Sequence, residues 1–60
     1  MDNEIVVGSL VYDERLKVTG VVIKENVRWV DTDGQIHEWD FEFMSGEELY
    51  YADRDELKLL

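Results

Sequence analysis

The sequence predicts one small all-β domain, a five-stranded barrel with a short 3₁₀ turn before its last strand, and three observations lead there. The chain has 60 residues, enough for a single core, because a chain this short buries only about 60% of the surface it exposes when unfolded. Its apolar segments are short and rich in Val, Ile, Trp, Tyr and Phe, the residues that fit a pleated, half-buried surface. Four glycines and a few polar clusters, with no proline, punctuate those segments. At 45% hydrophobic and 12% aromatic residues, the composition is that of a chain that folds rather than one that stays disordered.

Taken in order, residues 5–13 read as the first strand, 18–24 as the second, 27–31 as the third, 35–43 as the fourth and 57–60 as the last. Glu25-Asn26 reads as the tight connection between the second and third, since Asn tolerates the positive φ that such turns need. Asp31-Thr32-Asp33-Gly34 has Asp first and Gly fourth, the signature of a type I turn that closes a three-residue hairpin loop with a G1 bulge. That turn sets a register in which Val30 faces Ile36, Trp29 faces His37, Arg28 faces Glu38 and Val27 faces Trp39. A slip of one residue would mix polar and apolar side chains on both faces.

In this register Val27, Trp29, His37, Trp39, Phe41 and Phe43 alternate onto one face, read as core, and Arg28, Glu38, Asp40 and Glu42 onto the other, read as wet. Val30 and Ile36 form an apolar pair on the charged face. Ser45-Gly46-Glu47-Glu48 and Asp53-Arg54-Asp55-Glu56 both carry helix-start patterns but are too short for stable helices. The second is read as a single 3₁₀ turn, and residues 49–52 are left open between strand and helical turn.

Gly8-Ser9-Leu10-Val11-Tyr12, Thr19-Gly20-Val21-Val22-Ile23, Val27-Arg28-Trp29-Val30-Asp31 with Asp33-Gly34, and Leu57-Lys58-Leu59-Leu60 follow one another as do the elements of SH3-like small barrels. The chain resembles the KOW and Tudor-type members of that group, in which a G-x-x-V strand leads to G-x-V on a bent second strand, a V-x-W-x-D-G hairpin, and a final strand after a 3₁₀ turn. The resemblance covers about residues 5–43 and 53–60, and leaves 44–52 as an insertion. It implies a binding module, and it rests on glycines and core positions rather than on functional residues. KOW-type members generally bind nucleic acid or ribosomal partners through basic loops; the loops here are acidic. In size and acidity the chain also resembles the short accessory proteins of tailed bacteriophages.

Fifteen acids against six bases give a formal charge of −9, which disfavours nucleic-acid backbones and anionic membranes as partners. The charge is uneven: residues 1–30 hold five acids and four bases, residues 31–60 ten acids and two bases. The opening Met1-Asp2-Asn3-Glu4 is acidic, and the apolar run after it is broken by Gly8 and Ser9, unlike a signal peptide. No apolar stretch approaches the roughly 18 residues of a membrane span. The expectation is a cytoplasmic protein, in the host cytoplasm if phage-encoded. There is no cysteine to form a disulfide or a thiolate metal site.

Catalysis would need a nucleophile with a base, paired carboxylates in a cleft, or a metal. One histidine, no cysteine and a chain too short to enclose a deep pocket lead to the expectation of a non-enzyme with no cofactor and no metal. His37 reads as the aromatic neighbour of Trp29 rather than a ligand, since a zinc site takes three or four convergent donors. Asp31-x-Asp33-Gly34 lacks the later acidic ligands of a calcium loop and is explained by turn chemistry. Trp29, Trp39, Tyr12, Tyr50 and Tyr51 could compose an aromatic cage for a cationic side chain, although two tryptophans in so small a barrel read first as core. Tyr50 and Tyr51 are adjacent, so one of them must point outward.

The candidate partner-binding residues are therefore Tyr50, Tyr51, Glu38, Asp40 and Glu42, and the expected partner is a protein, basic in character. The alternative is a nucleic-acid mimic that occupies a basic site on a host protein, because alternate acids along one strand form a row about 7 Å apart. A homodimer is expected as well, seeded by Val30 and Ile36 with Arg28 of one copy against Glu38 or Asp40 of the other, since a cysteine-free chain of this length has few other sources of stability.

Overall fold

The computed structural model describes residues 4–60; the acidic opening, residues 1–3, lies outside them. Five strands form one antiparallel sheet: β1 (Leu10–Asp13), β2 (Val18–Val30), β3 (Ile36–Ser45), β4 (Glu48–Ala52) and β5 (Leu57–Leu59), with a 3₁₀ turn over Arg54–Glu56. Their order across the sheet is β4-β3-β2-β1-β5. The all-β class, the five strands and the 3₁₀ turn before the last of them are as the sequence predicts. The sheet is not closed into a barrel, because β4 and β5 remain its two edges.

The five strands are not the five expected. Residues 18–30 are one strand, β2, thirteen residues long, paired with β1 over Val18–Val21 and with β3 from Val21 to Val30. Glu25-Asn26 is thus not a turn. Asn26 does take the positive φ anticipated for it, 54°, and it spends that conformation on a kink. The ladder runs from Glu25↔Phe41 to Val27↔Trp39 and skips Asn26, and a second irregularity between Val22 and Lys24 leaves Ile23 as a bulge. Both devices bend a strand while the chain continues in the same direction.

Residues 49–52, open between strand and helical turn in the sequence, are strand. β3 runs on to Ser45, turns at Gly46 (φ 63°) and returns as β4, with Phe43 opposite Tyr50 and Phe41 opposite Ala52. Alternation and β-branched content are weak in Glu48-Leu49-Tyr50-Tyr51-Ala52, so this strand exists because β3 offers it an edge. At the other end, the expected first strand is shorter than its apolar run: residues 5–9 form an irregular segment with Gly8 at φ 97°, and pairing begins at Leu10.

The hairpin register is the one the turn predicts. Val30↔Ile36, Trp29↔His37, Arg28↔Glu38 and Val27↔Trp39 are direct partners. The Gly34 amide donates to the Asp31 carbonyl at 3.0 Å, Gly34 sits at φ 83°, and Asp31 Oδ1 accepts the Asp33 and Gln35 amides at 2.9 Å each. Gly20 has a different reason to be glycine. A Cβ there would lie 2.5 Å from the Met44 carbonyl oxygen and 2.6 Å from the Phe43 ring, so β2 and β3 could not approach as they do.

The core comprises Ile5, Val11, Val22, Phe41, Phe43, Ala52 and Leu57, with Val18 and Tyr50 packed on it. Trp29 and Trp39 are not in it. Beneath the sheet's open side lies a polar clasp. Asp13 is fully buried and accepts the Arg15 and Leu16 amides at 2.8 and 3.2 Å and the Arg15 guanidinium at 3.0 Å. Arg15 also donates to the Tyr51 carbonyl at 2.9 Å and pairs with Glu56 at 3.5 Å. One guanidinium therefore ties the β1–β2 turn to edge strand β4 and to the 3₁₀ turn, linking the two sides of a sheet that no backbone ladder joins. Burial pushes the Asp13 carboxyl up, but the Arg15 guanidinium and the two amides outweigh it and hold it below its usual 3.8.

Candidate functional site

The side chains with recognition chemistry gather where the β2–β3 arm meets β4. The Tyr51 ring lies 4.8 Å from the Trp29 ring and 6.4 Å from the Trp39 ring, and His37 stacks on the far side of the cluster against Trp29, 5.2 Å away and 18° from parallel. Tyr51 is opposite Glu42 in the ladder and alternates away from Tyr50, which stacks on core Phe43 at 5.4 Å. The expected single face running from Trp29 through Phe43 is therefore broken. Phe41 and Phe43 enter the core, whereas Trp29 and Trp39 meet the tyrosine of the opposite side and His37 stacks on Trp29. The break falls at Asn26, where the left-handed residue and the skipped pair with Asp40 reorient the arm.

Trp29 is 37% exposed and Trp39 and Tyr51 are half-buried, so the rings form a platform with one accessible side. An open groove of about 450 Å³ runs beside it between Asn26–Arg28 of β2 and Glu38–Asp40 of β3, with Trp39 in its wall and Asp53 at its end. Asp53 arrives there because the chain turns sharply after β4. Its carboxylate accepts the Asp40 amide at 3.3 Å, and Asp40 in turn accepts the Arg54 amide at 2.7 Å. Asp53 and Glu56 also form a capping box across the 3₁₀ turn, with the Asp53 amide donating to Glu56 at 2.8 Å. Three carboxylates and one cation, Arg28, border the groove; Arg28 lies 3.6 Å from Glu38 in an exposed pair worth little by itself.

At the head of the platform, His37 Nε2 is 2.9 Å from Asp31 Oδ2. That contact, reinforced by the Gln35 and Asp33 amides, holds the Asp31 carboxyl below its ordinary value. Asp31 thus fixes both the turn and the ring that stacks on Trp29.

The residues singled out in the sequence separate under this geometry. Tyr51 is the outward member of the tyrosine pair and Tyr50 the inward one, its hydroxyl 3.4 Å from Glu48. Glu38 and Asp40 are exposed at the groove, while Glu42 is buried beside Tyr51 and its row of alternate acids ends at Asp40. Val30 and Ile36 are directly opposed and exposed at the arm's tip, and Arg28 pairs with Glu38 of its own chain. Tyr12 lies in β1, opposite Thr19 and Lys58, outside the cluster. Sequence reasoning missed the Arg15 clasp and placed Asp53 in the 3₁₀ turn but not at the groove, because both placements depend on β4, which the pattern did not reveal. Compared with family models, with curated proteins and with solved structures, the chain matches none.

Proposed function

We propose that the protein is a non-enzymatic interaction module that receives a cationic side chain of a protein partner in the groove beside Trp39. The observation that carries this reading is the joining of an accessible aromatic platform, Trp29, Tyr51 and Trp39, to a groove edged by Glu38, Asp40 and Asp53. An aromatic face attracts a lysine or arginine cation through its quadrupole, and neighbouring carboxylates add charge without a fixed geometry. The bent second strand, the turn at Asp31–Gly34 and the 3₁₀ turn before β5 support the SH3-like reading, whose members are commonly binding modules.

Lysine- and arginine-rich peptides, unmodified and methylated, are the probes, and intrinsic tryptophan fluorescence reads them because both tryptophans border the site. Binding is expected to weaken about tenfold or more in Trp39→Ala and in Asp40→Asn/Asp53→Asn, and to survive about 0.5 M salt in large part, as an aromatic-led contact should. Absence of binding to every basic peptide, or binding indifferent to Trp39, defeats the reading. Binding to a basic protein that collapses at the same salt and ignores Trp39 would favour the nucleic-acid mimic instead.

A further inference from the structure

The sheet face away from the core carries an apolar row that crosses β1 to β4 and continues beside β5. Leu49 of β4 opposes Met44 of β3, Met44 opposes Val21 of β2, and Val21 opposes Leu10 of β1. Leu60, whose amide donates to the Leu10 carbonyl at 2.9 Å, continues the row beside β5. Directly opposed residues share a face, so these side chains stand in line over about 19 Å, four inter-strand spacings. All five are between 40% and 64% exposed. The largest contiguous apolar patch on a monomer is typically about 300–600 Å² and is often a contact surface.

We propose that the occupant of this row is a second copy of the chain, packed face to face about a two-fold axis. Charge is the first argument. In a chain of net −9, the ladder rows on either side of this one hold Tyr12, Thr19 and Lys58, and Lys24, Glu42 and Tyr51; Glu42 is buried and Lys58 is paired with Glu14 at 2.9 Å, so these rows carry little net charge. Two copies meeting here do so away from the acidic turn, whereas a contact at the arm's tip would bring Asp31, Asp33 and Glu38 of both copies together. Area is the second. A standard interface buries about 800 Å² per partner, close to a fifth of this molecule's 4368 Å², and a five-strand sheet face with the row at its centre can supply it. The thin core is the third: seven buried apolar residues among those described, and no cysteine in the chain, leave a domain of this size short of burial that a copy would provide.

Tyr51 flanks this row and also belongs to the platform of the partner groove, so the two readings are told apart by variants that touch only one of them, Met44 and Leu49 here and Trp39 there. Sedimentation equilibrium from about 1 to about 100 μM is the test, run at about 50 and about 500 mM salt. The expected result is a dimer that tightens several-fold at the higher salt as repulsion between acidic surfaces is screened. Met44→Thr/Leu49→Thr, which keeps β-propensity, should weaken it at least tenfold, with far-UV circular dichroism to show the sheet intact; Val21→Thr, almost isosteric, serves the same purpose if the double variant unfolds. Val30→Thr/Ile36→Thr should leave it unchanged. A mass that stays at 7.1 kDa throughout overturns the proposal. A dimer lost in the Val30/Ile36 variant but retained in both row variants overturns it in favour of the hairpin tip.

Discussion

The base of the molecule and its hairpin arm are built from the same two strands and are held in different ways. In the base, β2 and β3 send Val22, Phe41 and Phe43 into the core, and the Arg15 clasp draws β4, the β1–β2 turn and the 3₁₀ turn together. Along the arm, from Ile23 to Asp40, no residue is buried. The arm stands on its turn, on cross-strand pairs such as Trp29–His37, and on rings that meet Tyr51. Stability is concentrated where few side chains can be changed, and recognition chemistry sits where most can be, the usual division between a scaffold and the segment it presents.

The sharpest way to break that comparison is to truncate one ring on each side of it. Phe43→Ala removes a fully buried ring that stacks on Tyr50, at an expected cost of about 3–5 kcal/mol. A domain of this length has roughly 3–9 kcal/mol in total, so the variant should be largely unfolded at room temperature. Trp29→Ala removes a larger ring from the exposed platform and should cost about 1 kcal/mol. Urea unfolding followed by far-UV circular dichroism measures both. Equal losses would mean that the arm is part of the cooperative core.

The clasp comes next in size. Arg15→Ala leaves Asp13 buried with its two amide donors but without its guanidinium, an expected loss of about 1–3 kcal/mol. Asp13 also makes the base sensitive to acid. Its folded pKa is depressed, so its contribution is fully present above the unfolded value near 3.8 and is lost as pH falls through and below that value. Unfolding free energy measured between about pH 6 and pH 3 should decline more steeply in the wild type than in Asp13→Asn. Parallel curves would remove Asp13 as the source.

What could be read in the sequence divides along the same line. The arm's turn, its register and the Val30–Ile36 pair were legible because Asp31 and Gly34 act within four residues and period-2 alternation fixes the rest. The 3₁₀ turn was legible for the same local reason, through Asp53 and Glu56. β4 was not, since its residues have no decisive propensity and its partner β3 decides it. Straight alternation places Trp29 and Trp39 in the core, because it takes no account of Asn26. A single left-handed residue there changes which side chains the arm shares a surface with, and local pattern rules contain no term for it. The groove was half visible: Glu38 and Asp40 lie in the hairpin, while Asp53 joins them only after β4 has been placed.

That kink supplies the finest test of the comparison. Asn26 holds φ 54°, which Asn accepts at little cost, Gly at less, and an alanine at about 1 kcal/mol. Asn26→Gly should therefore leave global stability within about 0.5 kcal/mol of the wild type, and Asn26→Ala should lose about 1 kcal/mol. The location of the loss is more informative than its size. Because nothing between Ile23 and Asp40 is buried, strain at Asn26 should be relieved by opening the arm alone. Amide exchange in Asn26→Ala should quicken at Val27–Val30 and Ile36–Trp39 while Val11, Val22 and Phe43 keep their protection, and the tryptophan emission should shift to the red as Trp29 and Trp39 leave Tyr51. Uniform loss of protection across both regions would show the kink to be coupled to the core, and the arm and base would then be one cooperative unit.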